Sequence, residues 1–416
     1  MSRAPVLSAP PPAAHLPLVP AEELARRARA FARRLASADL DGAFLLHPSS
    51  VFWISGTLAD AYPFVDADGT AVLPIRTSVG RAAHESPLPR RPVRKIEELP
   101  DALRELGVVA GRRVGIERDV VPVAVHERIA RAFPSAELVD VSGMVREVRA
   151  VKSAYEIEWI ERAGRVVCAA MDDALPAEIR EGVTENELGA FLEGTMRRLG
   201  HQGVVRLRRW NLEMHFGMCS AGASASYPCY FDGPDGLEGL YPAVQQGGGQ
   251  RRIERGVPIL VDYVGAAGGY LADRTRIFSL GDPSEEVRRA HDFCLAAERE
   301  IVARLRPGAN PASIYDDVLA MAAETPWADR FMGWGENRVT FLGHGVGIDL
   351  DELPVVAPRF ATPLEAGHVI AIEPKVFLGD LGAAGVENTY VVTEAGAVNL
   401  TPGPPEIRVV EPKRNA

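Results

Sequence analysis

The chain has 416 residues, more than one ordinary core requires and comfortable for two domains of about 150 to 250 residues each. With 47% hydrophobic and 25% charged residues and a formal net charge of −10, it excludes a general nucleic-acid or membrane-surface binder, which would need a basic face. Four scattered cysteines (Cys168, Cys219, Cys229, Cys294) make no disulfide framework and fit a reducing compartment, and no stretch approaches the roughly 20 apolar residues of a membrane span.

The opening MSRAPVLSAPPPAAHLPLVP is broken by prolines where a signal core would run. Residues 1–19 therefore read as a disordered Pro/Ala tail and the protein as cytoplasmic. Residues 21–38 place Leu24, Ala28, Phe31 and Leu35 at helical spacing. A short apolar strand follows at 42–46, then a second apolar run, Val51-Phe52-Trp53-Ile54. The segment 71–75 is a further strand whose Pro74 would suit a sheet edge. A helix near 96–106, a strand at 113–116, a helix near 124–132 and a strand around 138–141 complete an alternating pattern, which predicts a small α/β domain over residues 20–143.

From Met144 the chain is helical and charge-rich. Ser153 with Glu156, and Thr184 with Glu187, have the spacing of capping boxes. The second box leads into Leu188, Phe191, Leu192 and Met196. After about residue 215 come Gly-rich loops and β-branched or aromatic strands, so residues 144–416 read as an α+β domain built on an antiparallel sheet.

Two apolar strand pairs in this half carry acids. Ile259-Leu-Val-Asp262 and Asp273-Arg-Thr-Arg-Ile-Phe flank Ala266-Ala267-Gly268-Gly269, read as a four-residue hairpin loop that sets Asp262 directly opposite Asp273. In the second pair, Val369-Ile-Ala-Ile-Glu373-Pro-Lys-Val-Phe and Gly385-Val-Glu387-Asn-Thr-Tyr are joined around Gly379-Asp380-Leu381-Gly382, so Glu373 and Glu387 can pair. Interior carboxylates repel one another unless a cation lies between them. Phe341-Leu-Gly-His344-Gly offers an imidazole on flexible backbone. Four carboxylates and one neutral imidazole balance two divalent cations, and oxygen-rich ligation favours manganese, iron or cobalt over a structural zinc site.

Taken together these segments resemble the pita-bread metallopeptidases, the family of methionine aminopeptidase, Xaa-Pro aminopeptidase, prolidase and creatinase. The resemblance rests on the order Asp262, Asp273 eleven residues on, His344, Glu373 in Ile-Glu-Pro and a last Glu387. It extends to Arg149-Ala-Val-Lys152-Ser-Ala-Tyr-Glu156-Ile157 and to Asp273-Arg-Thr-Arg-Ile-Phe. It implies a pita-bread catalytic domain preceded by a smaller creatinase-like N-terminal domain, and a homodimer. It also implies two divalent ions (manganese, cobalt, iron or zinc), with Asp273 and Glu387 bridging both, Asp262 holding one and His344 the other. Glu373 would be the general base for a metal-bridging hydroxide acting on short peptides, proline-containing ones among them.

The proline-specific members carry a histidine where this chain has Asp351, and another where it has Cys229; Gly385 replaces a frequent Arg and Asn388 an Asp. Asp351 is expected to bind a positively charged substrate group such as a free amino terminus; the alternatives are a protonated acid that donates to the developing oxyanion and a structural cap before Pro354. Cys229 reads as a buried small residue, and His215 and His368 as structural. The same scaffold also supports non-peptide amidinohydrolases or lyases, and metal-free binding proteins.

Overall fold

The computed structural model describes residues 16–411, so most of the expected tail lies outside the described residues. The chain forms two compact units. One runs to Val148 and includes Arg208–Trp210; the other comprises Arg149–Leu207 and the chain from Asn211 onward.

The first unit opens with the helix Ala21–Ser37, which buries Leu24, Ala28, Phe31 and Leu35 as its spacing predicts. Its six-stranded sheet runs in the order Arg90–Pro92, Ala71–Ile75, Phe64–Asp66, Gly42–Phe44, Arg113–Ile116, Glu137–Asp140. Two expectations change. The run containing Val51–Ile54 is helical within Pro48–Ser55: Pro48 opens the helix, and Gly56 ends it at φ +74°. The strand holding Pro74 lies one in from the edge. Its ladder with Phe64–Asp66 ends at Val72, so the missing N–H of Pro74 interrupts nothing on that side.

The second unit begins with both predicted capping boxes, Ser153 with Glu156 and Thr184 with Glu187, opening the helices Ala154–Cys168 and Glu185–Arg198. Its ten-stranded sheet is mostly antiparallel. The central order is Glu352–Val356, Gly343–Gly345, Val369–Ile372, Glu387–Thr393, Tyr270–Leu280, Pro258–Ala267, Gly217–Ala221. Helices cover one face of it. Val261, Tyr263, Phe278 and Leu280 pack with Val167, Leu188, Leu192 and Met196. Ile370, Ile372, Tyr390 and Val392 pack with the helices Glu285–Arg304 and Pro311–Ala323. Because strand side chains alternate, the intervening Asp262, Asp273, Glu373 and Glu387 turn to the opposite face.

The hairpin that carries the two aspartates is tighter than expected. Ala267 pairs Tyr270, leaving only Gly268 and Gly269 in the loop, with φ of +58° and +94°. Two consecutive positive φ angles are what a two-residue turn of the right twist requires. The register therefore shifts by two: Asp262 faces Thr275, and Asp273 faces Val264. A shift of two keeps both acids on one face, on a diagonal rather than directly opposed. A Cβ at Gly268 would stand 2.4 Å from Cε3 of Trp159. Gly268→Ala should accordingly destabilise the fold by about 1–3 kcal/mol. An unchanged denaturant midpoint would show that this turn does not fix the register.

Candidate metal centre

The second acidic couple forms as its sequence suggests. Ile372 pairs Asn388 in one ladder and Lys375 pairs Gly385 in the next, so Glu373 and Glu387 meet between them. His344 enters from the neighbouring strand, where it pairs Ala371. Its Nε2 lies 3.6 Å from Glu373 Oε1, and 3.9 Å from both Asp273 Oδ2 and Glu387 Oε1. Asp273, His344 and Glu387 each offer one donor atom within 4.8 Å of the others, a set that could hold a metal ion. Donors about 2.0–2.2 Å from a shared ion stand roughly 3–4 Å apart, so these spacings suit a single ion.

Asp262 joins the cluster by way of a residue that sequence reasoning passed over. Lys375 Nζ sits 2.7 Å from Asp262 Oδ2, 2.9 Å from Asp235 Oδ2, 3.0 Å from Glu373 Oε2 and 3.2 Å from Glu387 Oε2. Its side chain has 0% exposure. The signal was available: Lys375 follows Glu373 by two, the strand period that returns a side chain to the same face. Asp235, in the loop Asp232-Gly-Pro-Asp235-Gly, gave no such signal.

Charge is shared unevenly here. Burial would lower the Lys375 ammonium, but Asp235, Asp262, Glu373 and Glu387 hold it well above the usual lysine range. Burial would raise Asp262, yet Lys375 keeps it below the ordinary carboxylate value. Asp235 is pushed well up by burial against the pull of Lys375, with the Asp262 and Glu373 charges adding to the rise. Burial and then the Glu387 charge raise Asp273; burial also raises Glu387, against Lys375 and with Glu373. Asp262 and His344 each keep 15% of their side chains exposed, so solvent reaches the cluster past these two.

The backbone under the acids is pinned. Thr389 Oγ1 accepts from Asp273 N at 2.8 Å and donates to Asp273 O at 3.0 Å. Thr275 Oγ1 donates to Glu387 Oε2 at 2.8 Å, and Arg276 donates to Glu387 O at 2.9 Å and to Asn388 Oδ1 at 2.8 Å. His344 Nδ1 donates to the Leu350 carbonyl at 2.9 Å, which turns Nε2 towards the acids. A bulge between His344 and Gly345 separates this strand from the segment that supplies the carbonyl.

That segment is held by the basic residues of the Arg149-to-Lys152 motif. Arg149 Nη2 bonds Asp349 at 2.8 Å and Glu352 at 2.5 Å, and Lys152 Nζ lies 3.0 Å from Glu352, all of them buried. Half-buried Asp351 lies between these anchored neighbours, directly after Leu350. Cys229 Sγ bonds the Gln245 carbonyl at 2.9 Å, and its thiol is pushed up to about 12 by burial and then Asp235, which suits no nucleophile. His215 Nδ1 lies 3.4 Å from Glu193, and His368 is buried with Nδ1 accepting from Glu365 N.

Residues 158–394 match the family described as metallopeptidase family M24, and residues 27–151 match the creatinase/prolidase N-terminal domain. The chain belongs to metallopeptidase family M24. It is an enzyme of the metallopeptidase class with the two-domain pita-bread architecture and a creatinase-like N-terminal domain. A Xaa-Pro dipeptidase of Pyrococcus furiosus is 27% identical over 364 residues, covering 87% of this chain and 93% of the relative. The prolidase structure from Pyrococcus furiosus aligns with a TM-score of 0.73 at 26% identity, over 90% of this chain and 99% of that one. An X-Pro aminopeptidase structure from Thermotoga maritima shares the fold with a TM-score of 0.76 at 24% identity, over 92% and 99%. As in the family at large, divalent metal is the expected cofactor.

The Arg149 anchor yields a test. Burial would raise Glu352, but Arg149 and Lys152 pull it down to about 2. A depressed carboxylate contributes stability in full above about pH 4.5, and that contribution is lost as pH falls towards 2. Arg149→Met leaves Asp349 and Glu352 under-compensated and should cost about 3–5 kcal/mol. Acid unfolding should then move to higher pH, and metal affinity should fall about 10- to 100-fold as the Leu350 carbonyl loses its hold on His344. Unchanged affinity would detach Arg149 from the site.

Proposed function

We propose that the chain is a metal-dependent exopeptidase, an aminopeptidase or dipeptidase that cleaves short peptides, proline-containing ones included. The observation that carries this reading is the convergence of Asp273, His344, Glu373 and Glu387 on one sheet face within the segment that matches the M24 family. The Xaa-Pro dipeptidase and prolidase relatives support the substrate class. The resemblance implies two ions; the donors that face one another without a cation of the protein's own serve one. A divalent ion there would supply Lewis acidity and an activated water, with manganese, cobalt or iron favoured by the oxygen-rich donors and zinc still possible to accommodate.

The chain's own residues supply the rest. His344 would offer Nε2 to the ion, its ring fixed through Nδ1. Glu373, with Oε1 facing His344, is the base that takes a proton from the attacking water and returns it to the leaving amine. Asp351 is the acceptor for a substrate's free amino terminus, since an ionised carboxylate accepts hydrogen bonds and repels an oxyanion. A cytoplasmic homodimer completes the reading, and sedimentation at micromolar concentration tests the dimer.

Metal-stripped enzyme given manganese, cobalt, iron or zinc should hydrolyse members of a dipeptide and tripeptide panel, and chelation should abolish the activity. No turnover with any metal would reject the reading. Asp351→Asn should raise KM for peptides with a free amine at least about tenfold, the loss of roughly 1.4 kcal/mol of binding, and leave amine-blocked substrates nearly unchanged. Equal effects on both would remove the amine-binding role.

A further inference from the structure

We propose that the Lys375 ammonium permanently occupies one of two cation positions in this cluster, so that the chain binds a single divalent ion on the His344 side. This deepens the proposed function and rests on the same site. The first observation is the ammonium's surroundings. Four carboxylate oxygens from Asp235, Asp262, Glu373 and Glu387 surround Nζ at 2.7–3.2 Å. Metal–oxygen bonds are about 2.0–2.2 Å, so this shell has ammonium dimensions. An ion bound to Asp262 Oδ2 and Glu387 Oε2 would need the space that Nζ fills.

The second observation is the way two carboxylates divide their oxygens. Glu373 and Glu387 each turn Oε2 to Lys375 and Oε1 towards His344 Nε2. Glu387 Oε1 is buried and has no hydrogen-bond partner among the described residues. A buried acceptor without a donor is costly. Among the described residues, no hydrogen bond reaches it from Asp273, and His344 Nε2 stands 3.9 Å away, beyond hydrogen-bond distance. A divalent ion bound to Asp273, His344, Glu373 and Glu387 satisfies all four at once.

The third observation is the space made for the lysine. Lys375 pairs with Gly385 across the short ladder, and a Cβ at Gly385 would stand 2.6 Å from Lys375 Cγ and 3.0 Å from its Cα and Cβ. The bare backbone at 385 lets the lysine stem run inward. Lys375 is also two residues from Glu373, so the strand period aims both at the same cluster.

The test counts ions on the full chain, stripped with a chelator and reloaded with manganese. Elemental analysis should find one ion per wild-type chain, with the six-line resonance of an isolated manganous ion. Lys375→Gly opens the first position and should raise the count to two, with an exchange-coupled spectrum. Two ions on the wild-type chain would overturn the proposal, as would none after reloading. The wild-type count decides even where the variant fails to fold. A wild-type chain that binds one ion and cleaves no peptide supports this inference while rejecting the peptidase reading.

Discussion

Four carboxylates, Asp262, Asp273, Glu373 and Glu387, share one face of a sheet whose other face is packed under helices, and a fifth, Asp235, joins them from a loop. Two unit charges 4 Å apart repel by about 4 kcal/mol at the effective dielectric of a protein site, so a handful of such pairs would exceed the few kcal/mol by which most domains are stable. The arrangement persists because a cation is covalently built into it. Lys375 holds four of the acids around one ammonium, and a raised affinity of Asp235 for its proton removes a further charge. The fold around the site can be understood as the means of bringing these groups to one place and keeping them there.

Strand geometry does the gathering. Alternation puts Asp262, Asp273, Glu373 and Glu387 on a common face without any loop having to aim them. The neighbouring residues on the other face, Val261, Tyr263, Ile372 and Tyr390, anchor the same strands to the helices. Slipping any one strand by a single residue would exchange acid for core residue, so hydrophobic burial enforces the site's register. Around His344 the arrangement is different. There the backbone departs from regular pairing at a bulge, and a buried ion-pair cluster of Arg149, Lys152, Asp349 and Glu352 supplies the rigidity that a ladder supplies elsewhere.

Much of this was legible in the sequence, for physical reasons that vary by element. Both capping boxes depend on local hydrogen bonds and read out directly at Ser153 and Thr184. The face shared by the acids follows from period two, and it survived an error in register because the slip was by an even number. The slip itself came from assigning Ala266 and Ala267 to the loop, when two glycines able to take positive φ suffice for the turn. The Val51–Ile54 run looks extended on composition, but Pro48 and Gly56 at its ends make it a helix. Asp235 was illegible because a loop has no period, and only tertiary contact carries it to Lys375. Lys375 was legible and missed: a lysine is ordinarily a surface residue, and that prior masks one flanked by strand residues facing an acidic core.

The chemistry open to the two cation positions differs. An ammonium has three protons to donate, and Lys375 has four carboxylate oxygens within 3.2 Å competing for them. No proton remains to stabilise an oxyanion or orient a substrate carbonyl, and a lysine with its charge held this firmly is no base. Lys375 therefore acts as a fixed counter-charge, balancing the acids while leaving substrate untouched. The remaining position has the opposite character. Its donors stand 3.6–3.9 Å from His344 Nε2, and the imidazole and Asp262 are the partly exposed members of the cluster. Whatever reaction the enzyme performs must be centred on that solvent-facing side, where Glu373 touches both the fixed charge and the open position through different oxygens while lying next to Pro374 at the strand's end. Glu387 spans the same two positions from the facing strand, but its second oxygen is sealed from solvent. Glu387 Oε1, buried without a hydrogen-bond donor among the described residues, is thereby left to the cation of the open position.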